Sequence, residues 1–175
     1  TNVIEVTDDS FDAEIVRAEV RRIEPGFRID GERTADAVIV ATPPPVAVRL
    51  LSAWPELASA IAAIPCETTT TVSQGFAARD VPRPLDASGF VIPRAERRRI
   101  LACTWSSSKF GGRAPDGHVL LRCFLVGAPA DPVAIARAEL REILGIKAAP
   151  CVAKAFSFPE ANPIYEVGHE KRVAE

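Results

Sequence analysis

"ILACTWSSSKFGGRAPDGHVLLRCFLV", residues 100–126, sets two runs of alternating side chains on either side of a loop of serine, glycine and basic residues. Asp116-Gly117 is a turn signal and Gly111-Gly112 a flexible connection, so the stretch predicts a β-hairpin of residues 100–106 and 118–126. Strand side chains change face at every residue. In the first strand Leu101, Cys103 and Trp105 share one face, opposite Ile100, Ala102, Thr104 and Ser106. In the second, Val119, Leu121, Cys123 and Leu125 lie opposite His118, Leu120, Arg122 and Phe124. Each strand therefore has an apolar face, expected to pack on helices, and a mixed face of small, polar and aromatic residues. When the strands pair, the mixed faces lie together and can wall a cleft, with Ala102 and Thr104 giving room and Phe124 a flat surface. A face that simply meets water stands equally open on this pattern.

The rest of the chain surrounds that hairpin with strands and short helices. Residues 15–24 (IVRAEVRRIE) and 27–30 read as a second hairpin about Pro25-Gly26, and residues 35–41 (ADAVIVA) as a strand covered on both faces, ending at Pro43-Pro44-Pro45. Apolar residues recur at helical spacing over 46–51 and 56–64, with Pro55 in the first turn of the second helix. Residues 67–76 are rich in threonine and predict a strand, as do 90–93 and 152–158. The clearest helix is DPVAIARAELREIL: Asp131 caps it, Pro132 takes the first helical position and Gly145 ends it. These elements predict an α+β fold, a mixed, mostly antiparallel sheet with helices packed on one face.

Composition excludes several functions. The chain of 175 residues is 47% hydrophobic and 25% charged with a net charge of -2, which suits a globular domain and lacks the basic footprint of a nucleic-acid binder. The run RAERRR at residues 94–99 contains a glutamate and reads as a solvated turn. No apolar run approaches the roughly 20 residues that span a bilayer, so a cytoplasmic protein is expected, with peripheral membrane contact left open. Cys66, Cys103, Cys123 and Cys151 are far apart and read as small buried hydrophobes. The chain opens on Thr and contains no Met, the expectation being a fragment of a longer protein.

No catalytic or metal-binding residue emerges. Ser106-Ser107-Ser108 lacks the flanking glycines of a nucleophile elbow, and His118 and His169 are the only histidines from which to build a triad. His169 has no second ligand at metal spacing. A GxGxxG dinucleotide fingerprint is absent from these residues.

Taken together, "ADAVIVATPPPVAVRLL", "PELASAIAAIPCETTTTVSQGF", "GFVIPRAERRRILACTWSSSKFGGRAPDGHVLLRCFLVGA", "ELREILGI" and "PIYEVGHEKRV" resemble the central, substrate-binding portion of the protoporphyrinogen oxidases, flavoenzymes of the amine oxidase superfamily. The likeness runs from about residue 19 onward, and the SSSxF and GRAPxGH block is its most particular part. It implies an FAD-dependent oxidase that converts a porphyrinogen to a porphyrin in haem biosynthesis, with residues 1–43 bordering the FAD-binding domain, 44–162 binding substrate and 163–175 returning toward the flavin. FAD would be held by the remainder of that domain, and this fragment alone would be inactive. By the same resemblance Thr42 and Pro43 adjoin the cofactor, Phe124 matches an aromatic that stacks on a pyrrole ring, and Val91 and Thr104 match aliphatic positions that sandwich another.

Thr104 departs from the usual leucine of that clamp, and Phe158 stands where the family has tryptophan, so a different porphyrinogen such as coproporphyrinogen is admitted. Arg122, on the face of Phe124, is read from its position as a fork for a propionate, with a plain surface ion pair as the other reading. Two further functions belong beside the first: an FAD-dependent desaturase or amine oxidase domain, and a non-catalytic tetrapyrrole-binding domain.

Overall fold

Pro25-Gly26 turns the chain as its composition predicts. Ile23–Glu24 (β1) and Arg28–Ile29 (β2) pair antiparallel across it, and Arg33–Thr34 (β3) adds a third short strand. This computed structural model describes residues 23–29 and 33–174, so the strand expected over residues 15–22 lies outside the described residues. The described residues divide into two compact units, one of residues 67–159 and the other of those up to 66 together with those from 160.

In the latter unit the expected strand over residues 35–41 does not form. A strand covered on both faces needs ladder partners for its amides and carbonyls, and among the described residues only the Phe27 carbonyl serves this stretch, accepting from the Ala35 N–H at 3.2 Å. Ile39 is left 80% exposed. Val38 and Val40 instead help line an apolar cavity of about 390 Å³ with Ile23, Trp54, Leu57 and Ile61. Pro44–Leu50 (α1) and Pro55–Ala62 (α2) each begin on proline, which has no N–H to leave unsatisfied in a first turn. His169–Ala174 (α5) closes the described chain.

The other unit is built on a five-stranded sheet. Its strands are Cys66–Ala77 (β4), Gly89–Val91 (β5), Ala102–Trp105 (β6), His118–Val126 (β7) and Val152–Pro163 (β8), in the order β5-β6-β7-β4-β8. The pairs β5/β6, β6/β7 and β7/β4 are antiparallel. Between β6 and β7 lies one turn of helix, Ser106–Lys109 (α3), where Ser107 Oγ accepts a hydrogen bond from the Leu120 N–H at 3.1 Å. The serines of the opening stretch thus close a hairpin.

Pro132–Leu144 (α4) covers one face of the sheet and carries the caps its sequence predicts. Asp131 accepts from the Ala134 N–H at 2.9 Å, and Gly145 adopts φ 74 at the other end. Ile135, Ala136, Leu140 and Leu144 pack on Val72, Phe76, Cys103, Leu121, Cys123 and Leu125. Each large side chain buried there contributes about 1.5–3 kcal/mol, which makes this layer the main source of the unit's stability. Gln74, fully buried, donates from Nε2 to the Val133 carbonyl at 3.0 Å and so ties sheet to helix.

Several expectations need correction. Ile100, expected on the mixed face, lies in the core, and Leu101 is only half-buried. The Leu101 N–H donates to the Phe124 carbonyl ahead of the regular ladder, which starts at Ala102, so the alternation changes phase there. Ser106 is likewise buried, at the start of α3. Of the four cysteines, Cys103 and Cys123 are buried, but Cys66 is half-buried and Cys151 exposed. The solvated turn at residues 94–99 is exposed along its length, yet its end is pinned: buried Glu139 of α4 accepts from the Arg99 N–H at 3.2 Å and from Arg98 at 3.4 Å.

Candidate functional site

The face of the five-stranded sheet turned away from α4 gathers the residues that the sequence pointed to. Phe124 sits opposite Ala102 on β6 and Thr71 on β4, and it is half-buried. Beside it in the same strand, Arg122 lies opposite Thr104 and Ser73 and is exposed. Val91 extends the row of Ala102 and Phe124 onto β5 and is 82% exposed. Ala102 has only a methyl group, so nothing tall stands between Val91 and the Phe124 ring. Four predicted residues, Val91, Thr104, Arg122 and Phe124, therefore share one solvent-open surface.

Local sequence explains why these side chains point outward. Their neighbours Phe90, Cys103, Leu121, Cys123 and Leu125 belong to the core or pack against it, and a period of two sends the intervening residues to the other face. Gly89 fixes the outer edge. It adopts φ 140, and a Cβ there would overlap the Cys103 carbonyl oxygen, so only glycine lets β5 approach β6 this closely. Arg122 Nε lies 3.4 Å from Ser73 Oγ, to which it donates, keeping the guanidinium along the sheet.

β8 extends the same face. The Cys151 N–H donates to the Gly75 carbonyl and Thr70 Oγ1 lies 2.8 Å from Ser157 Oγ, so β8 runs opposite to β4. Ala155 packs against the core, and alternation turns Val152, Lys154, Phe156 and Phe158 to the open side. Gly75, opposite Leu120, confirms the phase: a Cβ on it would come within 2.8 Å of the Val152 side chain. Phe156 and Phe158 are 50% and 40% exposed, and Lys154 Nζ is 5.1 Å from the centre of the Phe156 ring. Sequence reasoning named Phe158 only as a departure from the family's tryptophan and passed over Lys154 and Phe156, although the alternation in VAKAFSF carried the signal.

Thr42 and Pro43 lie in the other unit. Pro43 is exposed and its carbonyl accepts the Val46 and Ala47 N–H groups at the start of α1, while Thr42 Oγ1 is buried with no hydrogen-bond partner among the described residues. One orphaned hydroxyl is a contact for a cofactor and not a cradle: no glycine-rich turn opens a helix here, so these residues do not by themselves fit a dinucleotide.

The two buried thiols, Cys103 and Cys123, lie on the covered face of the sheet. The Cys123 thiol is pushed far up by its hydrogen bond with Cys103 and then by burial, which leaves it protonated and inert. His169 stacks on Tyr165 at 4.6 Å. Among the described residues no group of three or more His, Cys, Asp or Glu is placed to hold a metal, and no helix is long and apolar enough to cross a membrane. The arrangement can hold a flat apolar ligand with anionic groups.

The chain is similar to known proteins over most of its length. The profile of a family described as flavin containing amine oxidoreductase matches residues 7–162. A coproporphyrinogen III oxidase of Staphylococcus aureus (strain NCTC 8325 / PS 47) is 31% identical over 152 residues, covering 81% of this chain and 32% of the relative. One of Propionibacterium freudenreichii subsp. freudenreichii is 35% identical over 149 residues, covering 80% and 28%. The chain spans about a third of the length of the curated relatives it matches. Among solved structures, one from Exiguobacterium sp. 255-15, provisionally assigned as a protoporphyrinogen oxidase, superposes with a TM-score of 0.62 at 26% identity, over 89% of this chain and 37% of that one. A reduced UDP-galactopyranose mutase reaches 0.66 at 13% identity over the same shares, a likeness of fold alone.

Proposed function

Because this chain belongs to the flavin containing amine oxidoreductase family, we propose that it is the substrate-binding portion of an FAD-dependent oxidase that converts a porphyrinogen to a porphyrin in haem biosynthesis. One observation carries the reading: Phe124 stands on a sheet face that α4 leaves uncovered, with Val91, Ala102 and Thr104 around it. A macrocycle needs a broad, flat, largely apolar wall, and this face offers one. The names of the relatives favour coproporphyrinogen as the substrate.

In this reading Phe124 stacks on one pyrrole ring while Val91 and Thr104 contact another. Thr104 is shorter than an aliphatic clamp residue, which leaves that contact looser. Arg122 pairs with a propionate. The flavin, when bound by the remainder of the FAD-binding domain, supplies the oxidising chemistry. Residues 1–43 and 163–175 border that domain, and the orphaned Thr42 hydroxyl is, among the described residues, a group available to the cofactor. The work of this chain is orientation, which can account for several kcal/mol of a barrier. The reading goes with a cytoplasmic protein whose membrane contact, where it exists, is peripheral.

The test is to express the full reading frame that carries this chain and to supply coproporphyrinogen in air. A bound yellow chromophore and oxygen-dependent porphyrin fluorescence are expected. A colourless protein that leaves the porphyrinogen unchanged overturns the proposal.

A further inference from the structure

The strand residues of the open sheet face carry two cations, Arg122 on β7 and Lys154 on β8. β4 runs between these strands, so they stand two strand spacings apart, roughly 9–10 Å. Both side chains are exposed, and neither has a carboxylate within ion-pair distance among the described residues. Within residues 69–158 the other residues on this side of the ladders are small, hydroxylic or apolar, apart from His118 at the start of β7; Glu160, by alternation on the same side of β8, lies six residues beyond Lys154. Glu67, the second residue of β4, lies beyond Val126 at the edge, where a separate cavity involves Arg94 and Arg98.

Each cation also adjoins an aromatic ring. Phe124 follows Arg122 by two residues on the same face, and Phe156 follows Lys154 in the same way, with the ammonium group held 5.1 Å from its ring. A cation and a ring are thus presented twice, on strands either side of the hydroxyl groups of Thr71 and Ser73. A ligand with one carboxylate would leave one cation unmatched. A flat ligand with carboxylates at separate points of its rim satisfies both, each as a charge-assisted contact partly dried by the ring above it.

Resting on the porphyrinogen reading above, we infer that Lys154 on β8 is a second carboxylate anchor and specificity-determining residue, acting with Arg122 to select a tetrapyrrole that bears propionates on more than one side. Phe156 forms the floor beneath the rim that Lys154 holds. The substrate surface therefore extends across the sheet from β5 to β8, beyond the Phe124 wall.

The experiment titrates the 175-residue chain with coproporphyrin III, following porphyrin fluorescence, and repeats the titration with coproporphyrin tetramethyl ester, whose carboxylates are blocked. The unsubstituted chain is expected to prefer the free acid, the preference shrinking at high salt. Lys154→Ala and Arg122→Ala should each weaken free-acid binding by roughly three- to tenfold, leave ester binding unchanged and leave the thermal midpoint in place. Lys154→Arg should restore most of the loss. If the acid binds and Lys154→Ala changes neither its affinity nor the acid-over-ester ratio, the anchor is refuted while the Phe124 wall stands. If neither porphyrin binds the unsubstituted chain, the porphyrinogen reading falls and the anchor with it.

Discussion

Replacing Glu139 should loosen the edge of the sheet that carries the candidate site. Glu139 is 7% exposed, and its carboxylate serves two partners on the turn leading into β6, the Arg99 N–H at 3.2 Å and the Arg98 guanidinium at 3.4 Å. Losing the acceptor for the amide costs about 1–3 kcal/mol when the amide is dry; Arg99 is exposed, so the lower half of that range applies. The ion pair adds little, because the Arg98 side chain is 37% exposed and screened, about 0.5 kcal/mol. Alanine returns a few tenths through helix propensity. Glu139→Ala should therefore cost about 1–2 kcal/mol, a fall of roughly 3–6 °C in Tm for a chain of this size. Glu139→Gln, which keeps an acceptor for the amide, should cost about half as much, and Arg98→Ala less again. Urea and thermal melts followed by circular dichroism read all three. An Arg98→Ala cost equal to that of Glu139→Ala would mean that the charge pair, and not the amide, holds the turn, and the reasoning would fail.

Phe124→Leu keeps apolar volume and removes the stacking surface, so coproporphyrin should bind about three- to tenfold more weakly by fluorescence titration; unchanged affinity would remove Phe124 from the wall. Gly89→Ala places a Cβ against the Cys103 carbonyl at φ 140 and should cost at least about 2 kcal/mol in a urea melt, a neutral result showing that β5 does not approach β6 as described. The Cys123 thiol remains protonated in the fold while its unfolded counterpart ionises near 9.0. Above that pH the unfolded state binds fewer protons, so stability falls by about 1.4 kcal/mol per pH unit on this account. Cys123→Ala should flatten the alkaline limb of the stability curve, and an unaltered slope would show that the thiol titrates freely.

The hairpin, the helix α4 and the open face were legible because each rests on a local rule. Alternation over residues 118–126 named the core face in full, and Asp131, Pro132 and Gly145 marked the helix ends. Position 100 was misread because the ladder changes phase ahead of Ala102, and no pattern of side chains announces such a slip. The pinning of residues 98 and 99 was hidden for another reason: Glu139 is forty residues away in sequence, and its pairing depends on where α4 comes to rest. The β8 half of the face escaped notice even though its alternation was visible, because which strand adjoins β4 is a matter of topology that periodicity does not encode.

The apolar stretch of residues 35–41 forms no ladder with the described residues beyond the Ala35 N–H, which donates to the Phe27 carbonyl, and its Ile39 faces water. Such a segment is a template for strand addition by any extended chain that reaches it, including another copy of itself. At high concentration the 175-residue chain should thus self-associate through this segment, and a charged residue in place of Ile39 should keep it dispersed.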